Sequence, residues 1–142
     1  MNLHNINKIW SRFSAVKQTE LKHKERTINN AIQSNYLINY TDELATFTFI
    51  GMLSKSSQGH ITDKTSIIVE FNNRLNIQNF EIHKTNEINS EFERRLLNQL
   101  DKFNGHNITL KDEFIRIDTE HIFSSIDEFE QVTDLIFTLK KD

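Results

Sequence analysis

Six histidines, His4, His23, His60, His83, His106 and His121, are the first residues to weigh for chemistry. No two of them stand at the three-to-five spacing that brings a pair of ligands to one helical face, and none sits in a zinc-hydrolase signature. The nearest grouping is Asp118, Glu120 and His121. On a strand, Asp118 and Glu120 share a face because side chains alternate, and His121 could join them from the following turn to hold one divalent ion for a metal-dependent hydrolase. Polar residues leaving a strand more often form a plain turn, so neither a metal nor a cofactor is expected. Acid-base chemistry has no better foothold. Glu81 and His83 share a strand face opposite Phe80 and Ile82, which points them to solvent. With Gly51, Gly59 and Gly105 as the only glycines, there is little material for a phosphate-cradling loop, and no nucleophile elbow or kinase-type pattern occurs. The chain has no cysteine, which removes thiolate sites and cysteine nucleophiles. The sequence therefore predicts a protein that is not an enzyme.

Charge is distributed unevenly along the 142 residues. Residues 1–40 carry a net +4, residues 41–80 a net −1 and residues 81–142 a net −6, within a formal total of −3. An acidic final block argues against nucleic acid as a partner, because binding to phosphate depends on cations that release counterions. The same block suggests an acidic face for a protein partner, with Asp112, Glu113, Asp127, Glu128 and Glu130 as candidate contacts. A homodimer is a compatible assembly. The basic first block holds an apolar stripe of Ile6, Ile9, Trp10, Phe13 and Val16 with Lys8, Arg12 and Lys17 beside it. Such a helix can pack on its own domain, or residues 1–18 can form a separate amphipathic arm that meets a partner or the surface of a membrane.

The elements that would position these residues follow from periodicity. Helical spacing from Asn5 continues thinly through Leu21, Ile28, Ala31 and Ile32, predicting one or two helices that end near Ser34. Runs at 46–50, 65–71 and 79–83 are β-branched and aromatic and predict three strands, with a long hairpin loop over 54–63. Turns are expected at Ser56-Ser57-Gln58-Gly59, Asn72-Asn73 and Asn104-Gly105. Ser90 with Glu93 opens a helix carrying Phe92, Leu96, Leu97, Leu100 and Phe103. A second hairpin is predicted from 107–110 and 114–118, and Ser125 with Glu128 caps a closing helix that carries Phe129, Val132, Ile136 and Phe137 on one face. The expectation is one α+β domain over 1–142, with helices packed on an antiparallel sheet of about five strands in the order α-β-β-β-α-β-β-α. The apolar run that spans a bilayer is absent, which leads to the expectation of a cytoplasmic protein.

Two resemblances add to this reading. The stretches Thr65-Ser66-Ile67-Ile68-Val69-Glu70-Phe71 and Leu75-Asn76-Ile77-Gln78-Asn79-Phe80-Glu81-Ile82, followed by helix, hairpin and helix, resemble the C-terminal part of a family of uncharacterised, often membrane-associated bacterial proteins. The predicted order of elements in a small acidic protein also resembles the type III secretion chaperone fold. That likeness implies a non-catalytic, usually dimeric protein that holds an unfolded segment of its client. The function expected is a small bacterial protein-binding module, either adaptor, chaperone-like or immunity-like; the alternative is peripheral membrane association through the first helix.

Overall fold

A computed structural model describes residues 3–72, 80–83, 94, 98, 105–111 and 113–141. Helix α1 spans Leu3–Val16. Seven strands follow: β1 Lys22–Ile28, β2 Ala31–Thr41, β3 Ala45–Lys55, β4 Ile61–Phe71, β5 Phe80–His83, β6 Gly105–Lys111 and β7 Phe114–Thr119. Helix α2 spans Ile126–Lys141. All neighbouring strands pair antiparallel, in the order β1-β2-β3-β4-β7-β6-β5. The class is α+β as expected, with seven strands in place of about five. Two meanders meet where β7 pairs with β4, from Ser66↔Asp118 to Glu70↔Phe114.

The main departure lies between Leu21 and Ser34, where helix was expected and the chain forms the β1–β2 hairpin. Helix α1 stops first, in a Schellman motif: Thr19 N–H donates to Ser14 O at 2.9 Å and Gln18 N–H to Ala15 O at 3.0 Å. Gln18 takes the left-handed conformation, φ 55°, that this ending requires. Asn29 and Asn30 then both have positive φ, 50° and 66°, between the paired residues Ile28 and Ala31. Two successive left-handed residues make the tight hairpin turn whose twist matches the flanking strands, and asparagine tolerates that conformation better than most residues. All seven residues of β1 are exposed, so this strand carries no apolar period to betray it. The expected loop over 54–63 is also shorter. β3 runs on to Lys55 and β4 starts at Ile61, while Gly59, at φ 87°, occupies the Ser56–His60 turn. The expected helix carrying Phe92 to Phe103 lies outside the described residues, except for Arg94 and Asn98, which are helical. Asn73 and Asn104 also lie outside them.

Alternation sorts the sheet into two faces. Tyr36, Ile38, Phe47, Phe49, Ile67, Val69, Ile108, Leu110, Ile115 and Ile117 are buried on the face that receives both helices. The opposite face is mixed: Asn39 Nδ2 donates to Thr48 Oγ1 at 2.8 Å and Thr41 Oγ1 lies 2.9 Å from Thr46 Oγ1, while Leu37 pairs across the strands with the exposed Ile50. Helix α1 is docked rather than a free arm. Ile6, Trp10 and Phe13 are buried, so the aromatic pair that would enter a lipid surface is committed to the core. Phe13 stacks on Phe129 of α2, with ring centroids 4.2 Å apart, and Trp10 meets the same ring edge-on at 5.0 Å. Trp10 Nε1–H donates to Phe123 O at 2.9 Å. No helix among the described residues is long and apolar enough to cross a membrane.

Gly51 lies beneath the indole. A Cβ there would stand 2.6 Å from Trp10 Cζ2, 2.8 Å from Trp10 Cη2 and 3.0 Å from Ile122 Cδ1. Gly51→Ala should therefore destabilise the fold by about 1–3 kcal/mol, the usual cost of overpacking. In a Trp10→Leu background the added cost should fall sharply, because the clashing ring is gone. Urea midpoints of the four proteins measure this coupling.

Candidate functional site

The β7–α2 junction gathers the most elaborate polar arrangement among the described residues. Asp63 and Thr65 of β4 hold it from below: Ile122 N–H donates to Asp63 Oδ2 at 2.8 Å, and Phe123 N–H to Thr65 Oγ1 at 2.9 Å. Thr65 Oγ1 in turn donates to His121 O at 3.1 Å. The chain thus turns off the sheet at Glu120 and His121 and enters α2. There one arm of the expected capping box forms, with Glu128 N–H donating to Ser125 Oγ at 3.4 Å, while the return bond is taken up one residue earlier, at Ser124. The Glu128 carboxylate reaches back, and its Oε1 accepts from Ser124 N–H at 3.0 Å and lies 3.2 Å and 3.3 Å from the hydroxyls of Ser124 and Ser125. Its Oε2 pairs with Nε2 of His121.

This geometry decides two sequence readings. Glu128 is engaged in the cap, so it is not an open contact for a partner. The metal reading also fails on position. Asp118 accepts from Ser66 Oγ at 2.9 Å and from Arg116 Nε at 3.2 Å on the outer face of the sheet, whereas the His121 ring turns towards α2. The strand ends at Thr119, so Glu120 does not continue the alternation that would set it beside Asp118. Among the described residues no group of three carboxylates and imidazoles could hold a metal ion. A serine-histidine relay is likewise not assembled here, since both serine hydroxyls lie on Glu128 rather than on the imidazole.

The remaining acidic candidates separate into two places. Glu113 is exposed in the β6–β7 turn, where its carbonyl accepts from Phe71 N–H at 2.7 Å. Asp127 and Glu130 are exposed near the start of α2, beyond the other end of β7 and about 20 Å away by strand rise. Asp112 lies outside the described residues. Lys8 and Arg12 are exposed on α1, while Lys17 lies over the Phe13 and Tyr40 rings at 5.7 Å and 5.3 Å from their centroids.

Two features escaped the sequence reading, and both continue the acidic face of α2. Asp127, Glu130, Asp134 and Phe137 recur at steps of three, four and three residues, which places them along one helical stripe opposite Phe129, Val132 and Ile136. Phe137, expected on the apolar face with Phe129, Val132 and Ile136, is instead 46% exposed because its position, about 280° round the helix from Asp127, falls with the acidic residues, and with Asp42, Glu43 and Leu44 of the β2–β3 turn it lines an open cleft of about 430 Å³. The spacing was legible, but the arrival of the β2–β3 turn beside Phe137 depends on the tertiary fold. Asp42 is held there as a turn-former, its Oδ1 accepting from Leu44 N–H at 2.8 Å and Ala45 N–H at 3.0 Å.

Beside that turn, Tyr40 is buried and its hydroxyl has no hydrogen-bond partner among the described residues. Burial pushes its pKa up, and the nearby Asp42 carboxylate pushes in the same direction.

Glu128→Ala should cost about 1–2 kcal/mol because it dismantles the cap, whereas Asp127→Ala, which removes only a charge from the first turn, should cost about 0.3–1 kcal/mol. Tyr40→Phe should be neutral or stabilising by up to about 1 kcal/mol, since it removes an unpaired buried hydroxyl. A phenol whose folded pKa is raised contributes stability below the unfolded value near 10 that is lost as pH rises above it. Urea titrations at pH 8 and pH 11 should therefore show a smaller alkaline loss in Tyr40→Phe than in the parent.

No family model matches the chain, and no curated protein or solved structure does.

Proposed function

We propose that this protein is a non-enzymatic protein-binding module that receives a basic partner segment along α2. The reading is carried by the stripe Asp127-Glu130-Asp134-Phe137, which sets three carboxylates in line and ends on an exposed aromatic ring at the Leu44 cleft. Carboxylates on a rim select and speed the encounter with a cationic surface, while an apolar anchor seated in a cleft contributes most of the affinity. The partner that fits presents Lys or Arg along one side and an apolar residue that reaches Phe137 and Leu44. Adaptor, chaperone-like and immunity-like roles all belong to this class.

Affinity capture from lysate of the source cells, with the parent protein, Asp127→Lys/Glu130→Lys and Phe137→Ala as parallel baits, tests the proposal. A partner enriched by the parent should fall at least tenfold with the charge reversal, and capture by the parent should weaken as salt rises. Phe137→Ala should reduce capture with little change in salt dependence. Equal capture by all three baits would remove α2 as the binding surface.

A further inference from the structure

The strand β1 closes one edge of the sheet, and of the features that blunt an edge it has charge but not a bulge, a proline or a short length. It pairs with β2 in an unbroken register from Lys22↔Leu37 to Ile28↔Ala31, with no bulge. It has no proline, and all seven of its residues are exposed. Among the described residues it has a strand neighbour on one side only. Seven residues extend for about 23 Å and leave alternate backbone N–H and C=O groups facing outward, which is the template that an added strand requires.

The side chains of β1 specify what can be added. Lys22, Lys24 and Arg26 pair with Leu37, Asn35 and Gln33, so they share the face of the sheet turned away from the helices. His23, which stacks on Tyr36 at 4.4 Å, Glu25 and Thr27 share the other face. Ile28, 54% exposed, ends the strand on the cationic side. A second copy of β1 is a poor occupant. Symmetric antiparallel pairing keeps each residue on its own face, and so sets Lys24 against Arg26, against itself, or Arg26 against itself. Like charges directly opposite destabilise a strand pair, and opposite charges stabilise one.

We infer that the β1 edge binds an extended acidic segment of a partner protein by strand addition, with carboxylates at alternate positions opposite Arg26, Lys24 and Lys22 and an apolar residue opposite Ile28. In the antiparallel sense of the rest of the sheet, the segment reads apolar-x-acid-x-acid-x-acid. The surface is separate from the α2 stripe and has the opposite charge, so either can fail without the other.

The test uses the full-length protein and a synthetic peptide, Ile-Thr-Glu-Thr-Glu-Thr-Glu with blocked ends, at 0.05 M and 0.15 M salt. Three controls accompany it: the same peptide with Lys for Glu, the same peptide N-methylated at alternate residues, and a single-stranded oligonucleotide. Binding of the parent peptide should slow amide exchange at alternate residues of β1 and leave α2 unchanged. Lys22→Glu/Lys24→Glu should weaken it at least tenfold while far-ultraviolet circular dichroism stays constant. The lysine peptide should not bind, and N-methylation should abolish protection because it removes donors that the edge needs. Absence of peptide binding would overturn the inference. So would equal binding of the N-methylated peptide, or of the oligonucleotide without protection of β1, either of which would reduce the surface to a generic cationic patch.

Discussion

The seating of Trp10 on Gly51 is the contact through which the parts of this molecule are tied together. The indole needs a position on β3 without a Cβ, and Gly51 supplies it where the strand runs under α1. From that seat its N–H reaches the Phe123 carbonyl, so one side chain joins the first helix, strand β3 and the chain leading to the last helix. Phe13 and Phe129 extend the same junction by stacking across the two helices, and Phe49 closes it from the sheet at 5.3 Å and 5.2 Å from those rings. A helix that could serve as a free arm on the strength of its sequence is instead a wall of the core. Its charged flank, Lys8 and Arg12, remains outside simply because burying a lysine or arginine without a partner is costly.

The same junction constrains the acidic face. Helix α2 can present Asp127, Glu130 and Asp134 outward only because Phe129, Val132 and Ile136 are fixed inward, and its starting angle is fixed by β4 through Asp63 and Thr65. The capping box adds the local stop. Glu128 engages Ser124, Ser125 and His121 with its carboxylate, whereas Asp127 and Glu130 on either side of it are exposed. A run of acidic residues at a helix start therefore divides by rotation: those aimed back at the terminus hold the helix, and those aimed outward face solvent.

The legible parts of the fold were those in which one face is buried. Phe47 and Phe49 flank Thr48, and Ile115 and Ile117 flank Arg116, in the alternation of a strand, Ile67 and Val69 lie in a β-branched run, and the helix from Ser125 shows in its cap and period. The hairpin from Lys22 to Thr41 does not show. Its first strand buries nothing, and its second was masked by apolar residues, Ile28, Ala31 and Ile32, that fall by chance at helical spacing across a turn. The signal that could have corrected this was Asn29-Asn30, a pair suited to two left-handed residues. For the candidate site, Asp127, Glu128 and Glu130 can all be named from sequence, and the capping spacing of Ser125 and Glu128 is the signal that sets Glu128 apart from the other two. The distance between Glu113 and α2 and the cleft at Phe137 depend on which strands meet, and no local pattern carries that information.

The invisibility of β1 in the sequence and its proposed role have one physical origin. A strand that contributes no side chain to the core is free of the constraint that shapes Phe47 or Ile67, so its composition answers only to solvent and to whatever it meets. Solvent alone would be satisfied by a short or bulged edge, which blunts unwanted pairing at little cost. Here the edge is long and regular, with cations at every second position on one face. Those cations work against pairing with another β1 and favour pairing with an acidic strand, so one pattern of charge both protects the edge from self-association and selects what may extend it.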